Sequence, residues 1–384
     1  LTNLLTFLDK VTGCVDAGSN VDGIFLYFAK AFDKVPHERL LLKLKSHGIE
    51  GKIAKWIREW LRDREQRVCI GGERSGWRKV TSGVPQGSVL GPVLFLIYIN
   101  VLDNGVRNWI LKFADDTKIF GAVDSDGNRK RLQEDLDNLV RWSAEWQMLF
   151  NTSKCKVMHI GKKNQQGKYS MNGKELEVVQ HERDLGIDIS NDLKVSTQCM
   201  QAYSRANRML GLIKRTICNK SREIMLQLYK TLVRPHVEFC TAAWMPHYKK
   251  DKELIEKMQH RFTRMIVGMK GMEYDRRLDE LGLWSLEERR NRSDLIEVYR
   301  MATGLSKLRL ETFFQLNSTG ITRGHSLKMR KQRNATDIRQ HFFSSRVVNR
   351  WNELDGDIVT AASLNSFKSG LLRMRQRKMD LFRD

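Results

Sequence analysis

The stretch that decides the fold is LKFADDTKIF, residues Leu111–Phe120. Apolar and β-branched residues flank two acids, a pattern that predicts two short strands joined by a turn at Asp115 and Asp116. Two adjacent carboxylates repel each other unless a partner neutralises them. Mg²⁺ is such a partner, because it prefers carboxylate oxygens in a shell completed by water and phosphate. From FADD alone, an ordinary solvated turn stays the alternative.

Apolar periodicity predicts the elements on either side of this turn. The predicted strands are Val21–Phe28 (VDGIFLYF), a hairpin around Gly71-Gly72, Lys156–Ile160 and short runs in Tyr169–Val179. The predicted helices are Pro36–Ser46, an amphipathic helix with Ile53, Trp56, Ile57, Trp60 and Leu61 on one face, a buried helix at Val89–Ile99, a long helix at Arg129–Phe150, and further helices from Thr197 to Thr303. Past Gly304 the pattern is weak, with helical character at Ser345–Leu354.

Composition limits the function. The chain has 384 residues, 41% of them hydrophobic, which excludes wholesale disorder. Its formal charge is +22, of which +5 belongs to residues 1–200 and +17 to residues 201–384. Such a surplus predicts a polyanionic partner, most often nucleic acid. A merely well-solvated basic surface stays the alternative.

The expected location is intracellular, nuclear or cytoplasmic. Six cysteines lie scattered without a CxxC pair, which favours free thiols in a reducing compartment. The longest apolar run is too short for a membrane span and no signal peptide opens the chain, so we expect neither secretion nor membrane insertion. Because the first residue is Leu1, we expect the sequence to be cut from a longer one.

Four motifs in order carry a family resemblance. They are FLYFAKAFDKVPH (Phe25–His37), SGVPQGSVLGP (Ser82–Pro92), FADD, and WQMLFNTSKCKVMHIG (Trp146–Gly161) followed by ERDLGIDIS. Together they resemble the palm of reverse transcriptases, especially the non-LTR (LINE-type) retrotransposon group of the jockey-like and chicken-repeat-like kind. The resemblance implies an α+β fold: a right-hand polymerase palm with an antiparallel sheet and partial fingers, then a helical thumb and a basic C-terminal extension. The expected domains are residues 1–195, 196–303 and 304–384.

The resemblance implies RNA-directed DNA polymerase chemistry. In that reaction a primer 3′-hydroxyl attacks the α-phosphate of a dNTP while two metal ions, Mg²⁺ or Mn²⁺, stabilise the attacking and leaving oxygens. Asp115 and Asp116 match the family's paired metal ligands. The expected partners are an RNA template, a DNA primer, their RNA–DNA hybrid and dNTP. The oligomeric state stays open.

One expected metal ligand is missing. The family's first motif has an Asp where this chain has Tyr27. The nearest acids, Asp22 and Asp33, are five and six residues away, roughly 16–20 Å along an extended strand. A phenol with a pKa near 10 is a poor Mg²⁺ ligand at neutral pH. We therefore expect little or no polymerisation by this chain.

The resemblance assigns further roles. Phe32 matches the steric gate that rejects a 2′-hydroxyl. The alternative is an ordinary core Phe. The loop that touches the template base and the nucleotide is matched by Pro85, Gln86 and Gly87. The alternative is a plain turn at the start of a helix. Lys154 stands where the family often has a Lys that assists the leaving pyrophosphate, although a solvated Lys explains it nearly as well.

Asp184, Leu185 and Gly186 resemble the primer-grip hairpin. Basic residues from about Arg205 onward would track the phosphates of a hybrid duplex in a helical thumb. Two other functions compete with a degenerate polymerase. One is a non-enzymatic RNA- or DNA-binding remnant that uses the basic helical second half; the other is an interaction domain with an incidental charge surplus.

Overall fold

The computed structural model describes residues 1–317 and 324–383. These residues form two compact units, one of residues 19–180 and one of residues 1–18 with 181–384. The domain limits expected from the sequence stay a prediction. Within the described residues, helix length and hydropathy together leave no candidate for a helix that crosses a membrane.

The strands of the described residues are short except at the centre of the main sheet. They are β1 (Val21–Tyr27), β2 (Glu65–Gln66), β3 (Cys69–Ile70), β4 (Glu73–Arg74), β5 (Arg78–Lys79), β6 (Trp109–Phe113), β7 (Asp116–Ala122), β8 (Lys156–Ile160), β9 (Ser170–Met171), β10 (Lys174–Glu175), β11 (Glu177–Val178), β12 (His181–Asp184) and β13 (Ile187–Ser190).

The α-helices concentrate in the second half of the chain. They are α1 (Thr2–Asp16), α2 (His37–Ser46), α3 (Gly51–Leu61), α4 (Leu90–Ile99), α5 (Asp126–Glu145), α6 (Ser196–Thr216), α7 (Arg222–Leu228), α8 (Pro235–Glu238), α9 (Thr241–Trp244), α10 (Lys249–Thr263), α11 (Tyr274–Leu281), α12 (Leu286–Ala302), α13 (Leu310–Phe313), α14 (Asp337–Gln340), α15 (Phe343–Arg346), α16 (Val348–Asn352), α17 (Gly356–Val359) and α18 (Leu364–Arg377).

The unit of residues 19–180 is built on a five-stranded sheet in the order β11-β8-β1-β7-β6. The pairs are antiparallel except for the short parallel edge pair of β11 with β8. Strand β1 is central because its apolar side chains are buried on both faces. Its Ile24 and Leu26 belong to a core that also takes residues from α2, α4 and α5. The result is the predicted α+β fold with an antiparallel sheet and packed helices.

The described part of the second unit, residues 1–18, 181–317 and 324–383, is helical apart from the β12–β13 hairpin and an isolated bridge between Leu316 and Met329. Of its longer helices, α12 and α18 begin at a serine N-cap, Ser285 and Ser363. Helix α12 begins at a capping box in which the Ser285 hydroxyl accepts from the Glu288 amide and the Glu288 carboxylate accepts from the Ser285 amide. Helix α1 belongs to this unit, where Arg339 donates to the Asp9 carboxylate at 2.8 Å.

Most predicted elements are confirmed, but two predictions were wrong in part and two helices were not predicted. The helix at Val89–Ile99 is not buried throughout, since Val89, Val93 and Leu96 are exposed on one side. The long helix runs from Asp126 to Glu145 rather than from Arg129 to Phe150, with Ser125 as its N-cap. Helix α1 was not anticipated. The tail contains the 14-residue helix α18, which lies on α12 and so needs only a narrow apolar stripe.

Candidate active site

The two acids lie at the tip of the β6–β7 hairpin. Phe113 pairs with Asp116 across the hairpin, so Ala114 and Asp115 form a two-residue turn. Ala114 has φ of 51°, the left-handed region that costs a residue with a Cβ about 1–2 kcal/mol. The surrounding ladder therefore holds this turn in place. Both carboxylates are half-buried, and Asp116 is the first residue of β7.

Tyr27 lies directly opposite Asp116. Strands β1 and β7 pair antiparallel from Val21↔Ala122 to Tyr27↔Asp116. Directly opposed residues of an antiparallel pair point to the same face, with Cβ atoms about 4.5–5.5 Å apart. The structure therefore brings Tyr27, the position at which the motif comparison predicts a missing carboxylate, together with the acidic hairpin. The ring of Tyr27 is half-buried, in line with its place at the end of β1.

Backbone hydrogen bonds fix the end of β1 against the turn that precedes β8. The Asn151 amide donates to the Tyr27 carbonyl at 2.7 Å, and the Tyr27 amide donates to the Cys155 Sγ at 3.5 Å. Burial raises the pKa of the Cys155 thiol, which keeps it neutral. The side chain therefore packs in the core and does not act as a nucleophile. Lys154 belongs to the same turn, where its amide donates to the Asn151 carbonyl at 2.9 Å, and its side chain is exposed.

Asp22 cannot replace the missing ligand. It lies five residues from Tyr27, so its side chain points to the opposite face of β1. There it is fully buried and accepts hydrogen bonds from Tyr169 at 2.6 Å and Asn164 at 2.8 Å, with His159 Nδ1 at 2.7 Å. Its carboxylate oxygens are thus committed to a structural network.

The first and second motifs meet beside this strand end. The Val84 amide donates to the Phe32 carbonyl at 2.7 Å, and Gln86 Nε2 donates to the Asp33 carboxylate at 3.0 Å. Gly83 is required there: its φ is +95°, and a Cβ would lie 2.8 Å from the backbone of Asp33. The carboxylate of Asp33 therefore belongs to this loop contact.

The remaining predicted nucleotide-binding residues are placed by α4 and the same loop. The Phe32 ring stacks on Phe95 with centroids 4.5 Å apart, so one face of the ring is packed and the side chain is half-buried. Pro85 is half-buried, whereas Gln86 and Gly87 are exposed. The loop thus presents an amide side chain and a glycine backbone to an incoming ligand.

Asp184, Leu185 and Gly186 lie in the other compact unit. They include the turn of the β12–β13 hairpin, where Asp184 pairs with Ile187. Leu185 has φ of 47° and Gly186 has φ of 87°, the two positive values typical of a tight two-residue hairpin turn. A Cβ on Gly186 would lie 3.3 Å from the Phe239 ring, so this turn packs closely.

The donor set beside Tyr27 does not fit two metal ions. The hairpin supplies the carboxylates of Asp115 and Asp116, and the opposite strand supplies a phenol in place of a carboxylate. Within the described residues, these acids are not part of any group of three or more His, Cys, Asp or Glu whose ligand atoms lie within 4.8 Å of one another. The family resemblance implies carboxylates from both strands around two ions that flank a reacting phosphate, and here only the hairpin strand supplies them.

An exposed aromatic surface was not expected. The apolar face predicted for α3 is only partly buried: Ile57 and Leu61 are buried, but Trp56 is 58% exposed and stacks on Trp60. In the β-ribbon that follows, formed by β2 to β5, Trp77 is 59% exposed with the Arg67 guanidinium 4.4 Å from its ring centre. Residues 51–80 carry nine basic and four acidic side chains. The alternation of Trp with Arg and Lys in the sequence is the signal that could have predicted this surface.

With this geometry established, comparison with known proteins defines the class. The family model described as reverse transcriptase (RNA-dependent DNA polymerase) matches residues 8–211. The match covers more than half of the chain, so the chain belongs to the reverse transcriptase family.

Its relatives are retrotransposon polymerases of the non-LTR type, which confirms the resemblance of the motifs. The chain is 28% identical over 261 residues to the RNA-directed DNA polymerase from mobile element jockey of Drosophila melanogaster, covering 64% of this chain and 28% of that protein. It is 22% identical over 272 residues to the probable RNA-directed DNA polymerase from transposon X-element of the same organism, covering 68% and 30%. The chain thus spans about 30% or less of the length of these two relatives.

Among solved structures, the chain is similar to apo telomerase from Candida tropicalis. The TM-score is 0.41 with 12% sequence identity, over 73% of this chain and 48% of that one.

Proposed function

We propose that the chain is a degenerate RNA-directed DNA polymerase whose nucleotide addition is strongly impaired by Tyr27. Its partners would be an RNA template, a DNA primer, their hybrid and dNTP. The observation that carries the proposal is the register that sets Tyr27 opposite Asp116. A phenol is neutral at pH 7, so it offers no charge to a divalent cation beside the two acids.

Tyr27→Asp tests this proposal. The substitution sets a carboxylate opposite Asp116, and a metal-held transition state is stabilised by several kcal/mol, so primer extension should rise about 10²–10³-fold. The assay is extension of a DNA primer on an RNA template with Mg²⁺ and again with Mn²⁺. Tyr27→Asn is the matched control, since it has the size of Asp without the charge and should stay inactive. Robust extension by the unmodified chain would overturn the proposed impairment.

The second candidate function is binding of RNA or DNA without catalysis. A cavity of about 940 Å³ in the helical unit favours it. Its lining is mostly basic: Lys214, Lys220, Glu253, Glu256, Lys257, His260, Arg261, Arg264, Met265 and Lys270. Grooves of this charge track a phosphate backbone and release counterions, so binding should weaken steeply with salt.

Salt dependence tests whether this cavity binds nucleic acid. Lys257→Ala and Arg264→Ala should each weaken hybrid-duplex binding and lower the slope of log affinity against log salt by about one. Lys250→Ala is the control, because Lys250 is exposed and outside the cavity lining. Affinity that is unchanged in the two cavity variants would exclude this groove as the binding surface.

The aromatic surface of α3 and its ribbon supports a contact with single-stranded nucleic acid. Bases stack on exposed indoles for about 1–3 kcal/mol each, and arginines supply phosphate contacts. Trp77→Ala should weaken binding of a single-stranded oligonucleotide by about fivefold or more, whereas the equally exposed Leu42→Ala should not. Equal effects of the two substitutions would show that the indole has no special role.

A further inference from the structure

Two histidines and one aspartate form a cluster in the helical unit, outside the candidate active site. His247 Nε2 lies 3.0 Å from one carboxylate oxygen of Asp337, and His341 Nε2 lies 3.2 Å from the other. One ligand atom from each of the three residues lies within 4.8 Å of the others. The cluster draws on residues 90 positions apart, so only folding assembles it.

The local structure holds two of these side chains together. Asp337 is the first residue of α14 and His341 is its C-cap, so they lie four positions apart on one helical face. This short helix is anchored on α1. The Asp16 carboxylate accepts from the Thr336 amide and hydroxyl, both at 2.7 Å, and Arg339 donates to Asp9 at 2.8 Å.

The third side chain comes from the segment that leads into α10. His247 is half-buried, and the next residue, Tyr248, is the N-cap of that helix. The Tyr248 hydroxyl donates to the Asp337 carboxylate at 3.1 Å. The His247 and His341 rings stack almost in parallel, with centroids 4.4 Å apart and an interplanar angle of 4°. The cluster therefore joins the start of α10 to α14.

We propose that His247, Asp337 and His341 bind one transition-metal ion, with Zn²⁺ as the reference ion. Imidazole nitrogen and carboxylate oxygen are ligands that Zn²⁺ accepts, whereas Mg²⁺ and Ca²⁺ prefer oxygen alone. In a tetrahedral zinc site with bonds of 2.0–2.1 Å, neighbouring ligand atoms lie about 3.3 Å apart. Each Nε2 lies near that spacing from a different oxygen of Asp337, 3.0 Å for His247 and 3.2 Å for His341, so the carboxylate would bind through both oxygens or turn to bring one oxygen to both nitrogens.

Binding requires two local adjustments. Each Nε2 must present a lone pair, so its proton leaves or moves to Nδ1. The parallel rings must tilt toward each other, because a lone pair lies in the plane of its own ring. His341 is 38% exposed and sits at the end of a single helical turn, which leaves room for this tilt.

Burial and neighbouring charges act on the pKa values of these side chains in opposing directions. Burial and then the charge of His341 lower its pKa, against the opposing effect of Asp337. Burial raises the pKa of Asp337, but the Tyr248 hydrogen bond and the two histidines outweigh it and hold that pKa below its usual value. Both histidines line a cavity of about 830 Å³, so a fourth position is open to water or an anion.

Metal binding is measured on the full chain by calorimetry with Zn²⁺, by Co²⁺ absorption and by thermal unfolding. The expected result is one Zn²⁺ per chain with Kd below 100 μM and a raised Tm. Asp337→Asn and His341→Gln should each weaken binding at least tenfold. His341→Gln keeps a hydrogen-bond donor, so a metal-free Tm like that of the unmodified chain separates lost ligation from misfolding.

His181→Ala is the matched control, because His181 is an exposed histidine of the same unit outside the cluster. It should bind Zn²⁺ like the unmodified chain. Binding that survives unchanged in both cluster variants, or binding by the unmodified chain that fails to reach a Kd of 100 μM, would overturn the proposal. None of these measurements depends on polymerase activity, so their outcome is independent of the proposed function.

Discussion

The two ends of β1 place acids in opposite circumstances. At the Val21 end, Asp22 is fully buried, and Tyr169, Asn164 and His159 surround its two oxygens. At the other end, Tyr27 faces Asp116 at the tip of the β6–β7 hairpin, where both acids are half-buried. An acid whose oxygens are satisfied by protein donors serves the fold, whereas a half-buried pair at a strand end can serve a cation. Alternate residues of a strand point to opposite faces of the sheet, so Asp22 and Tyr27 lie on opposite faces of β1. This alternation separates the structural acid from the acids that can bind a cation.

The largest expected effect is on primer extension and concerns the Tyr27 end of β1. In the Tyr27→Asp variant, a further Asp115→Asn substitution should return primer extension to background, a loss of about 10²-fold or more, because it removes a charge that faces the metal. Asp33→Asn in the same variant is the control, since Asp33 is exposed and bound to Gln86. Extension that persists after Asp115→Asn would show that the hairpin acids do not act together with position 27.

The free energy of unfolding tests the Asp22 end of β1. Asp22→Ala removes the acceptor shared by Tyr169, Asn164 and His159, so the free energy of unfolding should fall by about 3–5 kcal/mol. Urea unfolding measures it. Asp33→Ala, an exposed acid near the same strand, should cost about 0.5 kcal/mol or less. If the two substitutions cost the same, the buried network does not stabilise the sheet.

The loop at Gly83 is tested by comparison with Gly105, a second glycine with positive φ. Gly83→Ala should cost about 3 kcal/mol, since it combines positive φ with a close approach to the Asp33 backbone. Gly105→Ala has φ of +83° but open space around the added Cβ, so it should cost only about 1–2 kcal/mol. Their difference, read from urea unfolding, isolates the close approach, and equal costs would refute it.

The smallest expected effect removes one donor from the buried network. Tyr169→Phe deletes the hydroxyl that donates to Asp22 and should cost about 2 kcal/mol. Burial and the charge of Asp22 raise the pKa of Tyr169 above its usual value, so the hydroxyl stays a donor at neutral pH. Tyr203→Phe, at a half-buried tyrosine, should cost about 0.5 kcal/mol or less. A negligible cost for Tyr169→Phe would mean that the other donors satisfy Asp22.

Local pattern predicted most elements of the first half. The FADD hairpin, the strand before Tyr27 and the loop at Pro85 follow from alternation and turn residues, which act within a few positions. The burial of helix faces was harder to predict. Val93, Leu96 and Trp56 are apolar at helical spacing, yet they are exposed, because spacing defines a face without showing whether another element covers it.

In the candidate site, too, residue identity was predictable from the sequence but long-range contacts were not. The absence of a carboxylate at Tyr27 is readable from the motif, but its position opposite Asp116 depends on the register of β1 with β7. The commitment of Asp22 to His159 joins residues 137 positions apart, and the cluster of His247 with Asp337 joins residues 90 positions apart. No local pattern signals such pairs.

The sequence by itself determined the family, the order of most strands and helices, the basic second half and the presence of Tyr27 where the family motif predicts an acid. Each of these depends on residue identity and short-range spacing. Tertiary structure alone decided which acids meet, which aromatic faces stay in solvent and which histidines share a carboxylate. The physical reason is that strand register and helix packing are set by the burial of apolar surface over the whole domain, which distant segments determine jointly.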